Sequence, residues 1–396
     1  MGRLLNSGRH GVLCAALLAC WAGTLAAQPV DQGTKPPVMT PALQTAMTEY
    51  RRRLAEYTRI HDPYVAQATT YWNEIAQKRK ARVNRRRDGQ DIVLGDYVLT
   101  QPPIYSGPPS PVDPSAPTVA PQPKSYVPVI ADFLQSAAGY FKFVPQQPQS
   151  EIEFKRAYAK VAAAAGLTRD QVVRIYGFEV GGNGTYDVQA GLEYPRPGAQ
   201  AITTALGYNQ LLHVNSVELL AEHGDAFIKA LDAKAATLTG EARKTLEKKI
   251  EILRVMIAFC RTVPDAWSEH DRLASTPKGL GIHALNLDID IGPLLQTQKL
   301  LDSVLFARTK GFKGTLTAAE LEMMNLTGDG NGFDMVMMPL AVREKVPTSN
   351  FFQQQSWARN SVAVRNNVVS KLIAATDSTM EQAVRLQGAK DLAASF

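Results

Sequence analysis

Glu179 is the side chain of this sequence whose position best suits proton transfer. Thr168 and Gln171 form a capping-box pattern that predicts a helix start, and the helix should stop near Gly181-Gly182. Glu179 then falls in the last turn, where the helix dipole and the preceding Phe178 both favour a protonated carboxyl group. Such a group can act as a general acid. A glutamate near a helix end is also commonly just solvated, and that alternative stays open at this point.

Aromatic and amide side chains follow Glu179 in the next stretch of the chain. Tyrosines can stack on sugar faces, and amides can hydrogen-bond to hydroxyl or acetamido groups. The tyrosines are Tyr186, Tyr194 and Tyr208, and the amides are Gln189, Asn209 and Gln210. Loop packing and capping explain the same residue types. We predict substrate binding by Tyr186, Gln189, Tyr208, Asn209 and Gln210.

Two further carboxylates, Asp187 and Glu193, lie in the same stretch. Glycosidases that use water generally need a second carboxylate, which inverting enzymes place roughly 6.5 to 9.5 Å from the acid. Asp187 and Glu193 are the local candidates for that role. Each is also an ordinary residue type for a loop.

The whole run from about Tyr176 to Leu212 resembles the soluble lytic transglycosylase and goose-type lysozyme group. In that group a glutamate ends a helix, a loop follows, and a Gly-x-x-Gln segment opens the next helix. Here the glutamate would be Glu179 and the second element Gly207-Tyr208-Asn209-Gln210. The resemblance covers about 40 residues closely and residues 151–396 loosely.

The resemblance implies an exported enzyme that cleaves the MurNAc-GlcNAc β-1,4 bond of peptidoglycan without water. In that family the glutamate protonates the glycosidic oxygen and then acts as base, while the muramic acid C6 hydroxyl attacks to give a 1,6-anhydro product. The implied catalytic residue is Glu179 alone, with no metal and no cofactor. The implied partner is the peptidoglycan glycan strand.

Two other functions stay open at the level of sequence. Val180 stands where many members of the group have Ser, and the later Tyr-Asn-Ala-Gly type motif has only Asn286 as a stand-in. These departures favour a non-catalytic protein that binds glycan or helps to assemble the envelope through a lysozyme-like groove. The other alternative is a hydrolytic muramidase that uses Glu179 with Asp187.

Other polar clusters suggest structure rather than chemistry. Asp288-Ile289-Asp290 and the Gly-rich segment 327–334 lack the spacing and terminal Glu of an EF-hand, and we interpret 327–334 as a turn. The histidines lack metal-ligand spacing, and we assign structural roles to His213 and His223. Cys260 lies on an apolar stripe and should belong to the core.

The elements that must position Glu179 are helices. Helical periodicity dominates after Glu151 and strand signals are sparse, which predicts a mainly α, lysozyme-like domain. Ser378 and Glu381 form a capping-box pattern that predicts the last helix start. The predicted segments are 151–165, 169–179, 203–222, 240–262, 293–308, 317–324, 356–375 and 379–393.

The region before the proline-rich segment is also predicted to be helical. Apolar residues from Leu43 to Tyr57 recur at spacings of three and four, and Asp62-Pro63 resembles a new helix start. We therefore expect two consecutive helices. The basic cluster at 78–87 is interpreted as a solvated helix end, with contact to an anionic polymer as the alternative. An envelope protein is a further candidate partner for these helices.

Changes in composition divide the chain into four regions. Residues 100–128 are rich in proline and lack periodicity, which predicts an extended connector. The expected organisation is a signal peptide at 1–27, an N-terminal helical region at 28–99, a proline-rich linker at 100–128 and a lysozyme-like transglycosylase-type domain at 129–396. No segment after the signal has the length and apolarity of a transmembrane helix.

The first residues predict export. Arg3 and Arg9 precede a short apolar run that ends in small residues, which is typical of a Sec-type signal peptide. The protein is expected in the periplasm or outside the cell; a lipid anchor on Cys20 is the alternative. Removing residues 1–27 lowers the net charge from +6 to +4, which suits an anionic cell-wall polymer. Export argues against nucleic acid as a partner.

Overall fold

Helices make up nearly all of the regular secondary structure in the part of the chain that the structure describes. The computed structural model describes residues 40–116, 126–192 and 198–396. The only β-type pairs within those residues are isolated bridges, such as Gln189 with Leu206. The prediction of a mainly α fold is confirmed. The predicted signal peptide and Cys20 lie outside the described residues, as do Glu193 and Tyr194.

The chain divides into two compact units, Met1–Lys124 and Ser125–Phe396. The first contains one long helix, α1 (Pro41–Arg87), which begins at a Thr40 N-cap. The prediction of two helices here is wrong because α1 continues through Pro63. A proline removes one backbone hydrogen bond. The helical turns on both sides of Pro63 outweigh that loss, and the stripe of apolar residues simply continues along the same helix.

The basic end of α1 is not wholly solvated, which corrects the interpretation of the 78–87 cluster. Arg82 is buried, donates to the Asp96 carbonyl at 2.9 Å and lies 4.6 Å from the centre of the Tyr97 ring. Lys78 donates to the carbonyls of Gly95 and Tyr97. These cations therefore hold the short 3₁₀ turn Leu94–Asp96 against the helix.

The proline-rich segment follows this turn. Its described parts, 100–116 and 126–128, contain no helix or strand. Frequent prolines remove backbone donors and fix φ, which disfavours both kinds of element. Residues 117–125 lie outside the described part.

Short and medium helices build the second unit. They are α2 (Ile130–Phe141), α3 (Glu151–Ala164), α4 (Arg169–Glu179), α5 (His213–Ala236), α6 (Gly240–Cys260), α7 (Trp267–Ala274), α8 (Pro277–His283), α9 (Gly292–Thr309), α10 (Ala318–Thr327), α11 (Asp329–Met337), α12 (Leu340–Arg343), α13 (Gln354–Arg359), α14 (Ser361–Arg365), α15 (Val369–Ala383) and α16 (Gln387–Ala393).

Two hydrophobic clusters lie on either side of α9. One joins α2, α5, α6 and α8 and contains Cys260, whose predicted place in the core is confirmed. The other joins α3, α4, α10 and α16. Leu295 of α9 belongs to the first cluster and Leu300 to the second. Burial of residues in both clusters stabilises the position of α9, which packs against α3, α5 and α10.

Several predicted helix boundaries are wrong. The single helix expected at 356–375 is instead divided among α13, α14 and α15. Residues 203–212 form turns, and α5 begins only at His213. Ser378 lies inside α15 and caps nothing at that point, because α15 runs unbroken from Val369 to Ala383. The segment 327–334 is mostly helix rather than turn: Gly328, at φ 81°, ends α10 and precedes α11.

Five helices, α2, α7, α8, α11 and α12, lie outside the predicted helical segments. In α2 the buried Phe133, Ala137 and Phe141 recur every four residues, a helical pattern that the prediction missed. Within the described residues no helix is both long and apolar enough to cross a membrane.

Candidate active site

Glu179 is the last residue of α4, as predicted. The Thr168 hydroxyl and the Gln171 side chain cap the start of the helix reciprocally. Its end follows from two glycines, because Gly181 at φ 64° and Gly182 at φ 73° adopt a left-handed backbone that ends helices. Local sequence therefore sets where α4 ends, with Glu179 as its last residue.

The loop after Glu179 is held by the C-terminal helix. Ala389 of α16 donates its backbone N–H to the Gly182 carbonyl at 2.9 Å, and Gly388 donates to Asn183 Oδ1 at 3.0 Å. A Cβ on Gly182 would lie 2.5 Å from the Ala383 carbonyl oxygen. The chain must therefore have glycine at this position to pass between α15 and α16.

Two residues of α10 contact the Glu179 carboxyl group. Asn325 donates Nδ2–H to Glu179 Oε1 at 2.7 Å. Glu322, one turn earlier on α10, is only 1% exposed and is hydrogen-bonded to Glu179 through its own carboxyl group. Among the described residues no donor reaches Glu322 Oε2. The two glutamates thus form a carboxyl pair that must share at least one proton.

Burial raises the pKa of both members of this pair. For Glu179, burial is the largest effect; hydrogen bonds from Glu322 and Asn325 and the charge of Lys299 oppose it, leaving the pKa at about 7. For Glu322, burial and the neighbouring Glu179 charge hold the pKa well above its ordinary value. A pair with such values keeps a transferable proton on Glu179 at and below neutral pH.

The positive charge of Lys299 on α9 lowers the pKa of both glutamates of this pair. Its charge also acts on Glu218 of α5 and Asp329 of α11. Burial raises the pKa of both of these carboxyl groups. The charge of Lys299 therefore acts on carboxyl groups from four helices: Glu179, Glu322, Glu218 and Asp329.

Three of the predicted binding residues are buried in the loop formed by the described residues 183–192 and 198–212. The Tyr208 hydroxyl donates to the Glu151 carboxylate. Asn209 donates Nδ2–H to the Tyr158 hydroxyl at 2.8 Å and to the Gln296 carbonyl at 2.7 Å. Gln189 Nε2 donates to the carbonyls of Pro128 and Thr203. These contacts shape the loop; a binding role for the three side chains stays a prediction.

The other two predicted binding residues are partly exposed. Tyr186 stacks on Phe154 with ring centres 4.9 Å apart. Gln210 takes a left-handed φ of 45° and donates Nε2–H to the Gly207 carbonyl at 2.8 Å. Gly207 itself, at φ 78°, has no room for a Cβ beside Gln296. The Gly-x-x-Gln segment is thus a tight turn before α5 rather than the first turn of that helix.

The charge of Asp187 affects the pKa of Glu151 rather than that of Glu179. Its charge raises the pKa of Glu151 and of Tyr186. The groups that act on Glu179 are instead Glu322, Lys299 and Asn325. The second carboxylate beside Glu179 is therefore Glu322, which the sequence did not single out.

The remaining polar clusters have partners within the protein. Asp288 pairs with Lys249 at 2.9 Å, and Asp290 pairs with both Lys249 and Lys234. His213 Nδ1 lies 2.8 Å from the Thr204 hydroxyl. Asn286 is buried and bonds to Ser216 and to Gln296. These contacts give the side chains structural roles.

Glu322 and Asn325 could not be found from the sequence by motif. Asn325 stands 146 residues after Glu179, and the two meet only because α10 packs against α4. The one local signal is a glutamate at a position of α10 whose neighbours, Leu321 and Met323, are both buried. No protein-family model matches this chain, and neither a curated protein nor a solved structure matches it.

Proposed function

We propose that this protein is an exported lytic transglycosylase that cleaves the MurNAc-GlcNAc bond of peptidoglycan with Glu179 as acid and base. The observation that carries the proposal is the Glu179–Glu322 carboxyl pair at the end of α4, with Asn325 fixing one oxygen of Glu179. A carboxyl group that keeps its proton near neutral pH is what protonation of a glycosidic oxygen requires.

The proposed reaction needs only this one acid. Glu179 transfers its proton to the glycosidic oxygen as the bond from that oxygen to C1 of muramic acid breaks. The Glu179 carboxylate then takes the proton of the C6 hydroxyl as that oxygen bonds to C1. The glycan gains a 1,6-anhydro end, no water is consumed, and Glu179 is protonated again.

Glu322 and Asn325 support this cycle from α10. Asn325 orients the reacting carboxyl group and stabilises its negative form between the two transfers. Glu322 donates a hydrogen bond to Glu179, which lowers the pKa of Glu179 and partly offsets the effect of burial. The balance leaves Glu179 able both to give and to retrieve a proton at the same pH.

The order of elements adds support, since the resemblance to the lytic transglycosylase group rests on a glutamate at a helix end, a loop and a Gly-x-x-Gln segment. Hydrolysis with Asp187 receives less support, because the charge of Asp187 acts on Glu151 and Tyr186. Export to the periplasm or beyond it is part of the proposal and rests on the sequence of residues 1–27.

Release of soluble muropeptides from purified sacculi tests the proposal. The chain without residues 1–27 should release them, and Glu179→Gln should reduce the rate by roughly 10²-fold or more with little change in folding. The matched control is Glu251→Gln, an exposed glutamate on α6, which should leave the rate unchanged. Binding to sacculi without release, unaltered by Glu179→Gln, would instead identify a non-catalytic glycan-binding protein.

A further inference from the structure

Three potential metal ligands meet between α5 and α9, apart from the Glu179 pair. Glu222 and His223 are consecutive on α5, and Asp302 lies on α9. One ligand atom from each of them lies within 4.8 Å of the other two. His223 Nε2 is 3.0 Å from Asp302 Oδ1 and 3.5 Å from Glu222 Oε2.

The two separations from His223 Nε2 are close to the edge length of a tetrahedral metal site. Zn²⁺ binds histidine nitrogen and carboxylate oxygen at about 2.0 to 2.2 Å, which places tetrahedral donors about 3.4 Å apart. His223 Nε2 can give at most one proton, so an ordinary hydrogen bond satisfies only one of its two carboxylate neighbours. A cation in that position would contact all three side chains.

The surroundings favour a cation and hold the ligands in place. Gln298 donates Nε2–H to Asp302 Oδ1 at 2.7 Å, which orients that carboxylate as the outer contacts of metal sites do. Glu218 lies one turn before Glu222, and the charges of Glu218 and Asp265 act on Glu222. The charges of three carboxyl groups, Asp302, Glu222 and Glu218, thus act on the His223 imidazole.

A buried histidine whose charge acts on Glu218 has an unmet polar contact. His270 of α7 is 1% exposed, and its charge acts on Glu218. Its Nδ1 has no hydrogen-bond partner among the described residues. A buried ring nitrogen without a partner is uncommon and calls for a bound water or ion nearby.

We infer that Glu222, His223 and Asp302 bind a divalent transition metal ion of the Zn²⁺ class. One nitrogen and two carboxylate oxygens are a donor set that suits Zn²⁺ better than Ca²⁺ or Mg²⁺, which prefer oxygen donors alone. The three side chains are partly exposed, so an ion can enter from solvent and water can complete its coordination. This inference does not depend on the proposed peptidoglycan chemistry.

Calorimetric titration of the chain without residues 1–27 and without any affinity tag tests the site. After chelator treatment and dialysis, ZnCl₂ should bind with one ion per chain and micromolar or tighter affinity, and CaCl₂ should bind far more weakly. His223→Gln and Asp302→Asn should each weaken Zn²⁺ binding by at least roughly 10-fold. The matched control is His61→Gln on α1, which should leave the affinity unchanged.

Circular dichroism must show that the variants keep their helices. An absence of Zn²⁺ binding by the unaltered protein would overturn the inference and leave His223–Asp302 as an ion pair. Binding that survives both site substitutions at unchanged affinity would overturn it equally, because the ion would then occupy another position.

Discussion

Asn325 donates its Nδ2–H to Glu179 Oε1 at 2.7 Å, and this bond joins the last residue of α4 to the last turn of α10. The backbone of α4 places the Glu179 carboxyl group at the helix end, and the bond from Asn325 fixes its orientation. Burial raises the pKa of that group to about 7, and the hydrogen bond from the neighbouring Glu322 partly offsets the effect of burial.

Asn325→Leu should lower turnover more than it lowers substrate affinity. The substitution keeps the branched shape of the side chain but removes the hydrogen bond that orients and stabilises the Glu179 carboxylate, and we expect kcat to fall roughly 10-fold or more. Steady-state rates on purified glycan strands measure this. Asn331→Leu on α11, which removes a bond from Asn331 to the Thr327 carbonyl, is the control and should change the rate little. Equal rates for Asn325→Leu and the unaltered protein would rule out a role for Asn325.

The stability of the protein should depend on the protonation of the carboxyl pair. The folded-state pKa of Glu179 is raised to about 7 by burial, and that of Glu322 is raised as well, so the folded state binds these protons more tightly than the unfolded state does. This contribution is complete below the ordinary glutamate pKa and is lost as the pH rises through the raised values. The free energy of unfolding should therefore fall between about pH 5 and pH 8.

Glu322→Gln should reduce that fall, because the amide can still donate to Glu179 but has no proton to lose. Denaturant unfolding at pH 5 and pH 8 measures the difference for the variant, the unaltered protein and Glu251→Gln as control. A pH dependence that Glu322→Gln leaves unchanged would mean that the pair is not the group responsible.

Gly182→Ala should destabilise the second unit and displace the loop after Glu179. At φ 73° the new methyl group would lie 2.5 Å from the Ala383 carbonyl oxygen. Gly181→Ala is a matched control, because Gly181 has a similar φ of 64° but nothing within 4 Å of an added Cβ. Both changes should cost roughly 1 kcal/mol of backbone strain, and only Gly182→Ala should add a steric cost of similar or larger size. Thermal unfolding compares them; equal losses would contradict the packing described around Gly182.

Asp187→Asn separates the two cleavage chemistries. If the C6 hydroxyl attacks, Asp187 is dispensable and the substitution should leave the cleavage rate within a few-fold of the unaltered protein. If water attacks with Asp187 as its base, the rate should collapse as it does for Glu179→Gln. Parallel rate measurements on the two variants distinguish these cases, and a collapse with Asp187→Asn would refute the single-acid mechanism.

Local signals predicted the helix that carries Glu179, and tertiary contacts account for what the sequence did not reveal. The Thr168–Gln171 box and the two glycines after Glu179 act within one or two turns, so α4 was predicted with its correct ends. Ser378 and Glu381 have the same pattern, yet they lie inside α15 because packing extends that helix across them.

The turn at 203–212 was predicted as helix because its left-handed residues are set by distant partners. Gly207 lies against Gln296 of α9. The same glutamine side chain accepts a hydrogen bond from the backbone N–H of Asn209. The role of Glu322 was not predicted for the same reason, because its pairing with Glu179 forms only when α4 and α10 pack together. The spacing of residues along the chain does not predict such long-range contacts.

The mass of the released glycan fragments tests the central claim most directly. Sacculi digested by the unaltered protein should yield muropeptides lighter by one water per cleavage than hydrolytic products, and borohydride should leave their anhydro ends unreduced. Both features should disappear with Glu179→Gln and persist with Asp187→Asn. Fragments of hydrolytic mass with reducible ends, or anhydro products that Glu179→Gln still releases at the original rate, would contradict the account.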